Sequence, residues 1–436
     1  MNTRKPCRRC LPALVLLAMA VSGRDGAAEI TSLAGLDMVA RLTGANSINH
    51  TDLVGIGGTD LGHMVVHQDR SYFLFGDSVS GETPSDGGFW QWNTMAWSAD
   101  LTPANGILFS GWISDAGGMA RRVIYSGYQK PITEIPTAAI SFDNRIYAWF
   151  MSVSRWGLPG QWTINYAGLA YTEDLGQHFT IVSGFRLPSD TNFGMVAASA
   201  RTDLPPGEDS YIYVWGTPSG RLGGVKLARV MPPDITNPAA YQYFAGFDSG
   251  QPTWTNSEYS APLIVQPTVG EMSVMYNKAA RTWTLLYFNH SRNRIQLRQA
   301  YAPWGPWSNE ITVVSGEQYP GLYGSYMNPV YVENHGQAVY FTMSLWDPYD
   351  VYLMRARFNL ASPPCPADLN LDDHVDAIDM EAFLPCMSGP TLPYQSLLTC
   401  SAADFDHDGD IDQADFAIIQ RCLSGPDLPV DPFCTD

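Results

Sequence analysis

Apolar positions along residues 31–360 alternate with polar ones in short runs, broken by Gly, Pro, Asp and Asn, and no stretch keeps the period of a long helix. One unit recurs. A turn residue leads into an apolar run with Tyr or Trp near its start: Asp69–Asp77 (DRSYFLFGD), Asp143–Ser152 (DNRIYAWFMS), Asp209–Gly216 (DSYIYVWG), Arg281–Asn289 (RTWTLLYFN) and Gly336–Ser344 (GQAVYFTMS). Strand-like runs such as Met64–His67 (MVVH) and Met272–Tyr276 (MSVMY) come just before. The pattern predicts a hairpin used five times, at irregular spacings. Five such units predict an all-β fold, a five-bladed β-propeller over 31–360. The competing all-β arrangement, a sandwich, rarely needs that much chain in one domain. In a propeller, polar residues at the ends of the innermost strands converge on one axis.

Both ends of the chain depart from this pattern. Arg4, Lys5, Arg8 and Arg9 precede the apolar run 11–21, and small residues follow at Gly26–Ala28, so residues 1–28 read as a signal peptide of a secreted protein. A short uncleaved anchor is the alternative. No later run is long enough to suggest a membrane span. At the other end, residues 361–366 (ASPPCP) form a Pro-rich linker into a tail over 366–436. The formal net charge of -18 is concentrated there: residues 361–436 carry -14, residues 1–30 carry +3, and 31–360 the remaining -7. An acidic body with a more acidic tail argues against nucleic acid and points to cations at the tail. Cys365, Cys386, Cys400, Cys422 and Cys434 all lie in the tail, whereas 31–360 has no cysteine. Disulfides with one thiol left over are expected, of undetermined pairing.

Two twelve-residue loops dominate the tail. Asp368, Asn370, Asp372, His374, Asp376 and Asp379 occupy positions 1, 3, 5, 7, 9 and 12 of the first, and Asp404, Asp406, Asp408, Asp410, Asp412 and Asp415 those of the second, 36 residues later. Calcium needs about six to eight oxygen ligands, which alternate carboxylates on a tight loop supply. Position 7 gives its backbone carbonyl, so His374 and Asp410 need not offer side chains. Gly409 fills the sharp turn at position 6, where the first loop has Asp373, which predicts a weaker first site. A helical run follows each loop. The expectation is two Ca2+ sites. Asp rather than Glu at position 12, a single helix after each loop and the duplication resemble dockerin type I repeats. That resemblance implies a cohesin-like protein partner; a self-contained calcium-stabilised appendage is the alternative.

The large module has no Gly-x-Ser-x-Gly elbow, phosphate loop or HExxH. His63 and His67 fall on a strand, where packing is the default role, and Gly55–Gly58 lacks the third glycine of a dinucleotide fingerprint. Carboxylates and aromatics remain. Asp60 sits among glycines, where backbone can approach a ligand. Asp77 ends an apolar strand, a costly place for a charge that is neither used nor paired. Glu271 begins another strand pair. Glycoside hydrolysis needs two carboxyl groups in different environments, so Asp60 and Asp77, with Glu271 as a third acid, are the catalytic candidates. Rings on loops suit stacking on sugar faces, although core packing is the ordinary fate of a Trp. Trp156, Trp162, Asn165, Arg298, Tyr323 and Tyr326 are the substrate-binding candidates.

The motifs GGTDLG (57–62), LFGD (74–77), IPTAA (135–139), MSVSRWGLPGQWTINYAGLAYTEDLG (151–176), GEMSVMYN (270–277), LRQAYAPWGPW (297–307) and LYGSYMNP (322–329), in this order, resemble the propeller family once catalogued as domain of unknown function 4185 and now classed as glycoside hydrolase family 183, the endo-D-arabinanases. The resemblance runs through most of 50–358. It implies cleavage of α-linked D-arabinofuranosyl polysaccharide, and its paired acids fall on Asp60 and Asp77. A non-catalytic carbohydrate-binding or adhesion propeller is the alternative.

Overall fold

The computed structural model describes residues 29–434 apart from 87, 129–130, 200–210, 362–364, 373, 395–399, 427–429 and 431–433. The leader expected over 1–28, half of the Pro-rich linker, the start of the third recurrent unit and Asp373 therefore lie outside the described residues.

Five antiparallel sheets follow one another along the chain. The first blade is built from β2 (Gly58–His67), β3 (Arg70–Val79), β4 (Trp90–Gln91), β5 (Thr94–Ser98) and β6 (Gly111–Trp112). The second is β7 (Thr133–Phe142), β8 (Arg145–Trp156), β9 (Trp162–Thr172) and β10 (Thr180–Leu187). The third runs β11 (Met195–Ser199), β12 (Ile212–Thr217), β13 (Gly223–Val230), β14 (Gln242–Asp248) and β15 (Gln251–Thr255), with β16 (Val265–Val269) paired to β13. The fourth is β17 (Met272–Asn277), β18 (Thr282–Asn289), β19 (Arg294–Ala300) and β20 (Ile311–Ser315). The fifth takes β21 (Leu322–Glu333), β22 (Ala338–Leu345) and β23 (Asp350–Leu360), and its outer strand is β1 (Ile30–Arg41), paired to β23 with Met38 opposite Met354. The N-terminal strand thus closes the ring by supplying the outer strand of the fifth blade.

The five recurrent segments are the second strands β3, β8, β12, β18 and β22. Their aromatic residues fill the space between and within blades. Trp215 and Trp283, from adjacent blades, have ring centroids 5.4 Å apart, and the buried Trp215 Nε1 donates to Pro303 O at 3.0 Å. Phe75 stacks on Trp112 at 5.3 Å. Local chemistry fixes the hairpins: Asp143 and Asn144 join β7 to β8 as a two-residue turn, both at positive φ, the geometry that matches strand twist.

Each blade's innermost strand, β2, β7, β11, β17 or β21, runs in the same sense around the axis. Strand starts and the turns joining second to third strands therefore share one face. Asp60, Thr133, Glu134 and Tyr323 lie within the first residues of β2, β7 and β21, and Glu271 immediately precedes β17.

The tail forms a separate core around Val375, Phe383, Ile411 and Ile419, with Phe383 stacked on Phe405 at 5.9 Å. Helices α1 (Ala377–Phe383) and α2 (Gln413–Cys422) each begin on a capping Asp, Asp376 or Asp412. The halves obey the 36-residue repeat: Ser388 N donates to Ile411 O at 2.9 Å and Ser424 N to Val375 O at 3.0 Å. Disulfides Cys386–Cys400 and Cys422–Cys434 anchor the two helix ends equivalently, leaving Cys365 as a buried thiol. No helix among the described residues is long and apolar enough to cross a membrane.

The interblade aromatic seam yields a stability test. Trp283→Ala should cost about 3–5 kcal/mol in denaturant-monitored unfolding; a change below about 1 kcal/mol would show that the seam is not where the blades are held.

Candidate active site at the propeller axis

Asp60 is set by a bulge. Register slips on both sides of Leu61, which takes φ +68, and Leu61 N donates to Ser344 Oγ at 2.8 Å. A bulge re-aims a side chain out of the strand's alternation, and here it directs Asp60 toward β3. The facing residue is Gly76, where a Cβ would collide with Asp60 Oδ1. The GGTDLG and LFGD motifs are thus two halves of one contact: a carboxylate and the side-chain-free backbone it rests on. Asp77 follows at the end of β3 and accepts from the Thr133 hydroxyl of β7.

Burial dominates the electrostatics of this pair. Loss of solvent pushes the Asp60 carboxyl up to about 7, helped by the Glu271 charge and opposed by the Tyr349 and Tyr323 hydroxyls and by Arg221. Asp77 is pushed up to about 8, by burial first and by the Asp60 charge second, against hydrogen bonds from Thr133 and Trp90. Tyr323 donates to Asp60 Oδ2 at 3.0 Å. Burial holds Tyr323 and Tyr349 well above the ordinary phenol range, so both remain donors. Asp60 Oδ1 is buried and has no hydrogen-bond partner of good geometry among the described residues. A buried carboxylate oxygen left open costs free energy unless a proton or a ligand takes it. With the two carboxyls raised to about 7 and about 8, the pair keeps a proton into the neutral range, where acid–base chemistry can use it.

Other sequence candidates fall differently. Glu271 is gripped by Arg221, whose Nε and Nη2 reach Glu271 Oε1 at 2.9 and 2.7 Å, so it is not a free third acid. Tyr326 is 2% exposed and packs on the His63 ring at 5.1 Å, which corrects its reading as a sugar-stacking ring. His63 is neutral, pushed down to about 4 by burial. Tyr323 acts through its hydroxyl and is itself buried. Arg298 also corrects an expectation. Its guanidinium braces blade four, bonding Tyr287, Ser308 and Glu310, and is not brought to the aspartates. Asn165 bonds Ser152 within blade two. Trp156, 43% exposed at the β8–β9 turn, and Trp162 pack edge to face at 5.8 Å beside the site.

The structure adds residues that sequence reading passed over. Arg221, from the β12–β13 turn, lies between blades three and four with Tyr323, Phe288 and Trp162 rings around it. Gly160, at φ +77, lets the β8–β9 turn lie against His290, and its carbonyl accepts from Arg221 N at 2.8 Å. Glu134 is buried next to Thr133, accepting from Ser126, and burial raises its carboxyl. Its adjacency to IPTAA was the available signal. Exposed Phe89, Trp90, Tyr125, Trp156 and Trp346 lie on the same face, from blades one, two and five.

In the tail, carboxylate oxygens of Asp404, Asp406 and Asp415 lie within 4.8 Å of one another, as do those of Asp368, Asp372 and Asp379. Asp404 Oδ1 is buried and unpaired among the described residues. Asp379 and Asp415, at position 12, each accept backbone N–H groups from their own loop. The Asp410 side chain accepts from Thr391 N, and its carboxylate also lies within 4.8 Å of those of Asp412 and Asp415.

The family described as domain of unknown function (DUF4185) matches residues 46–355. The notoamide biosynthesis cluster protein J of Aspergillus sp. (strain MF297-2) is 30% identical over 360 residues, covering 77% of this chain and 90% of that protein. Protein J' of Aspergillus versicolor is 28% identical over 310 residues, covering 67% and 82%. Among solved structures, one from Bacteroides ovatus ATCC 8483, whose name provisionally assigns it to the hydrolases, superposes with a TM-score of 0.50 at 14% identity, covering 70% of this chain and 86% of that one. That likeness concerns the fold.

The raised carboxyls carry a stability consequence of definite sign. The folded state holds Asp77 protonated up to about 8, whereas an unfolded Asp releases its proton near 3.8. The unfolded state is therefore favoured progressively as pH rises from about 4 to 8. Asp77→Asn should match wild type near pH 4 and melt increasingly above it toward pH 8.5. Parallel melting curves at all pH values would contradict the protonated assignment.

Proposed function

We propose, from the premise that the chain belongs to the DUF4185 family, that its propeller is a glycoside hydrolase of a secreted protein. It would cleave arabinofuranosyl polysaccharide of the D-arabinan type. The observation that carries this reading is the buried Asp60–Asp77 pair, with one buried Asp60 oxygen left without a hydrogen-bond partner among the described residues. Asp77, the carboxyl held more strongly protonated, is suited to donate a proton to the leaving oxygen. Asp60, supplied with donors by Tyr323 and Tyr349, is suited to remain ionised and act as base or nucleophile. Trp156 and the other exposed rings on this face would stack on sugars flanking the scissile bond. The substrate class rests on the motif resemblance described above.

The tail is proposed to hold two Ca2+ ions as a dockerin-like module and to tether the enzyme to a cohesin-like partner. The residues fit a hard cation: both loops gather carboxylate oxygens, and in the second the Asp404 and Asp410 Oδ1 atoms are buried and unsatisfied among the described residues. Asp368, Asn370, Asp372, Asp376 and Asp379 would hold one ion, with the His374 carbonyl. Asp404, Asp406, Asp408, Asp412 and Asp415 would hold the other, with the Asp410 carbonyl. Bound Ca2+ would neutralise the loops and stabilise the fold. A non-catalytic glycan-binding propeller is the second reading, since the same exposed rings serve it without turnover.

Purified protein should release reducing ends from D-arabinan and little from L-arabinan, and Asp77→Asn should lower release at least about 100-fold while remaining folded. Binding to arabinan with no release by the wild type would favour the second reading; undiminished turnover in Asp77→Asn would refute the assignment. Chelation should abolish a separate calorimetric transition of the tail while sparing the propeller, because folding there is coupled to metal. A calorimetric trace indifferent to calcium would remove the metal sites.

A further inference from the structure

The ion pair at the centre of the face remains to be explained. Arg221 and Glu271 come from blades three and four, their side chains are only 19% and 8% exposed, and the contact is bidentate. A buried pair is a poor way to stabilise a fold, because desolvation offsets most of its attraction. Its placement suggests another use. The guanidinium carbon lies 4.7 Å from the Tyr323 ring centroid, and the Tyr323 hydroxyl donates to Asp60 Oδ2. Glu271 thus fixes Arg221, Arg221 lies over Tyr323, and Tyr323 holds Asp60.

We infer that Arg221, fixed by Glu271, is a positioning residue that keeps Asp60 as the ionised member of the pair beside a protonated Asp77. The catalytic consequence rests on the hydrolase reading above; the electrostatic one does not. A positive charge behind Tyr323 polarises the phenol as a donor and favours negative charge on Asp60, against the Glu271 charge, which acts on Asp60 more strongly and in the opposite sense. The groups facing Asp60 are Asp77 from β3, Tyr323 and Tyr326 from β21, Tyr349 from the β22–β23 turn, Glu271, Arg221 and, farther along its own strand, His63. His290 lies beyond Arg221, where burial and that cation lower its affinity for a proton. Arg221 is the one cation in this set among the described residues, so its removal has a definite sign.

The test follows the Asp60 carboxyl directly, by 13C NMR across pH in protein labelled at aspartate carboxyls. Arg221→Gln should raise the pH at which Asp60 ionises by about one unit, and Glu271→Gln, which leaves the cation uncompensated, should lower it. Arg221→Lys should stay near wild type. Should Arg221→Gln fail to fold, the downward shift in Glu271→Gln decides alone. Shifts in the same direction, or none, would overturn the inference, because a purely structural pair would not move the titration in opposite senses. With active enzyme, the acid limb of kcat/KM should move with the NMR values. Opposite NMR shifts in a protein that cleaves no arabinan would uphold this inference and remove the hydrolase reading.

Discussion

Two carboxylates brought together out of water cannot both stay ionised. The site at the propeller axis is organised around that constraint. Asp60 and Asp77 come from adjacent strands of one blade, and burial raises both far above the ordinary Asp range. What surrounds them breaks the symmetry. Phenolic donors and the Arg221 cation favour charge on Asp60, whereas Asp77, with Thr133 and Trp90, lies next to that charge and takes the proton. A ring of blades is the scaffold that makes this affordable in conformational terms, since residues distant in sequence meet at strand starts already fixed by ladder hydrogen bonds.

Closure and local backbone both serve the same point. The clasp between β1 and β23 fixes the fifth blade, which supplies Tyr323 and Tyr349. Bulges at Leu61 in β2 and at Gly324 in β21 aim Asp60 and Tyr323 at each other. Gly76 then matters for what it lacks, a side chain where Asp60 Oδ1 rests.

Much of this was legible in the sequence, and the exceptions have physical reasons. The second strand of each blade is apolar on both faces and carries interblade aromatics, so its signature stood out five times. The outer strands, with polar faces and irregular turns, left no comparable pattern, and the role of β1 as a clasp depends on a pairing more than 300 residues distant. Asp60 and Asp77 were legible because a carboxylate among glycines, or at the end of an apolar strand, violates local expectation. Arg221 violates none: it follows Gly220 in an ordinary turn, and its importance comes from rings on three other blades. Glu271 was noticed but misjudged for the same reason, its partner being 50 residues away. Arg298 and Tyr326 show the converse, since motif membership did not reveal that one braces a blade and the other fills the core. The paired carboxylate clusters of the tail were legible by spacing alone, because the repeat that brings them together is local in sequence.

The central claim is that the pair shares a single proton near neutrality. Infrared titration of the carboxyl stretch measures this directly. A protonated-carboxyl band that persists at pH 7 in wild type and is clearly weakened in Asp77→Asn is the predicted result. A spectrum with every carboxyl ionised by pH 5.5 would contradict it.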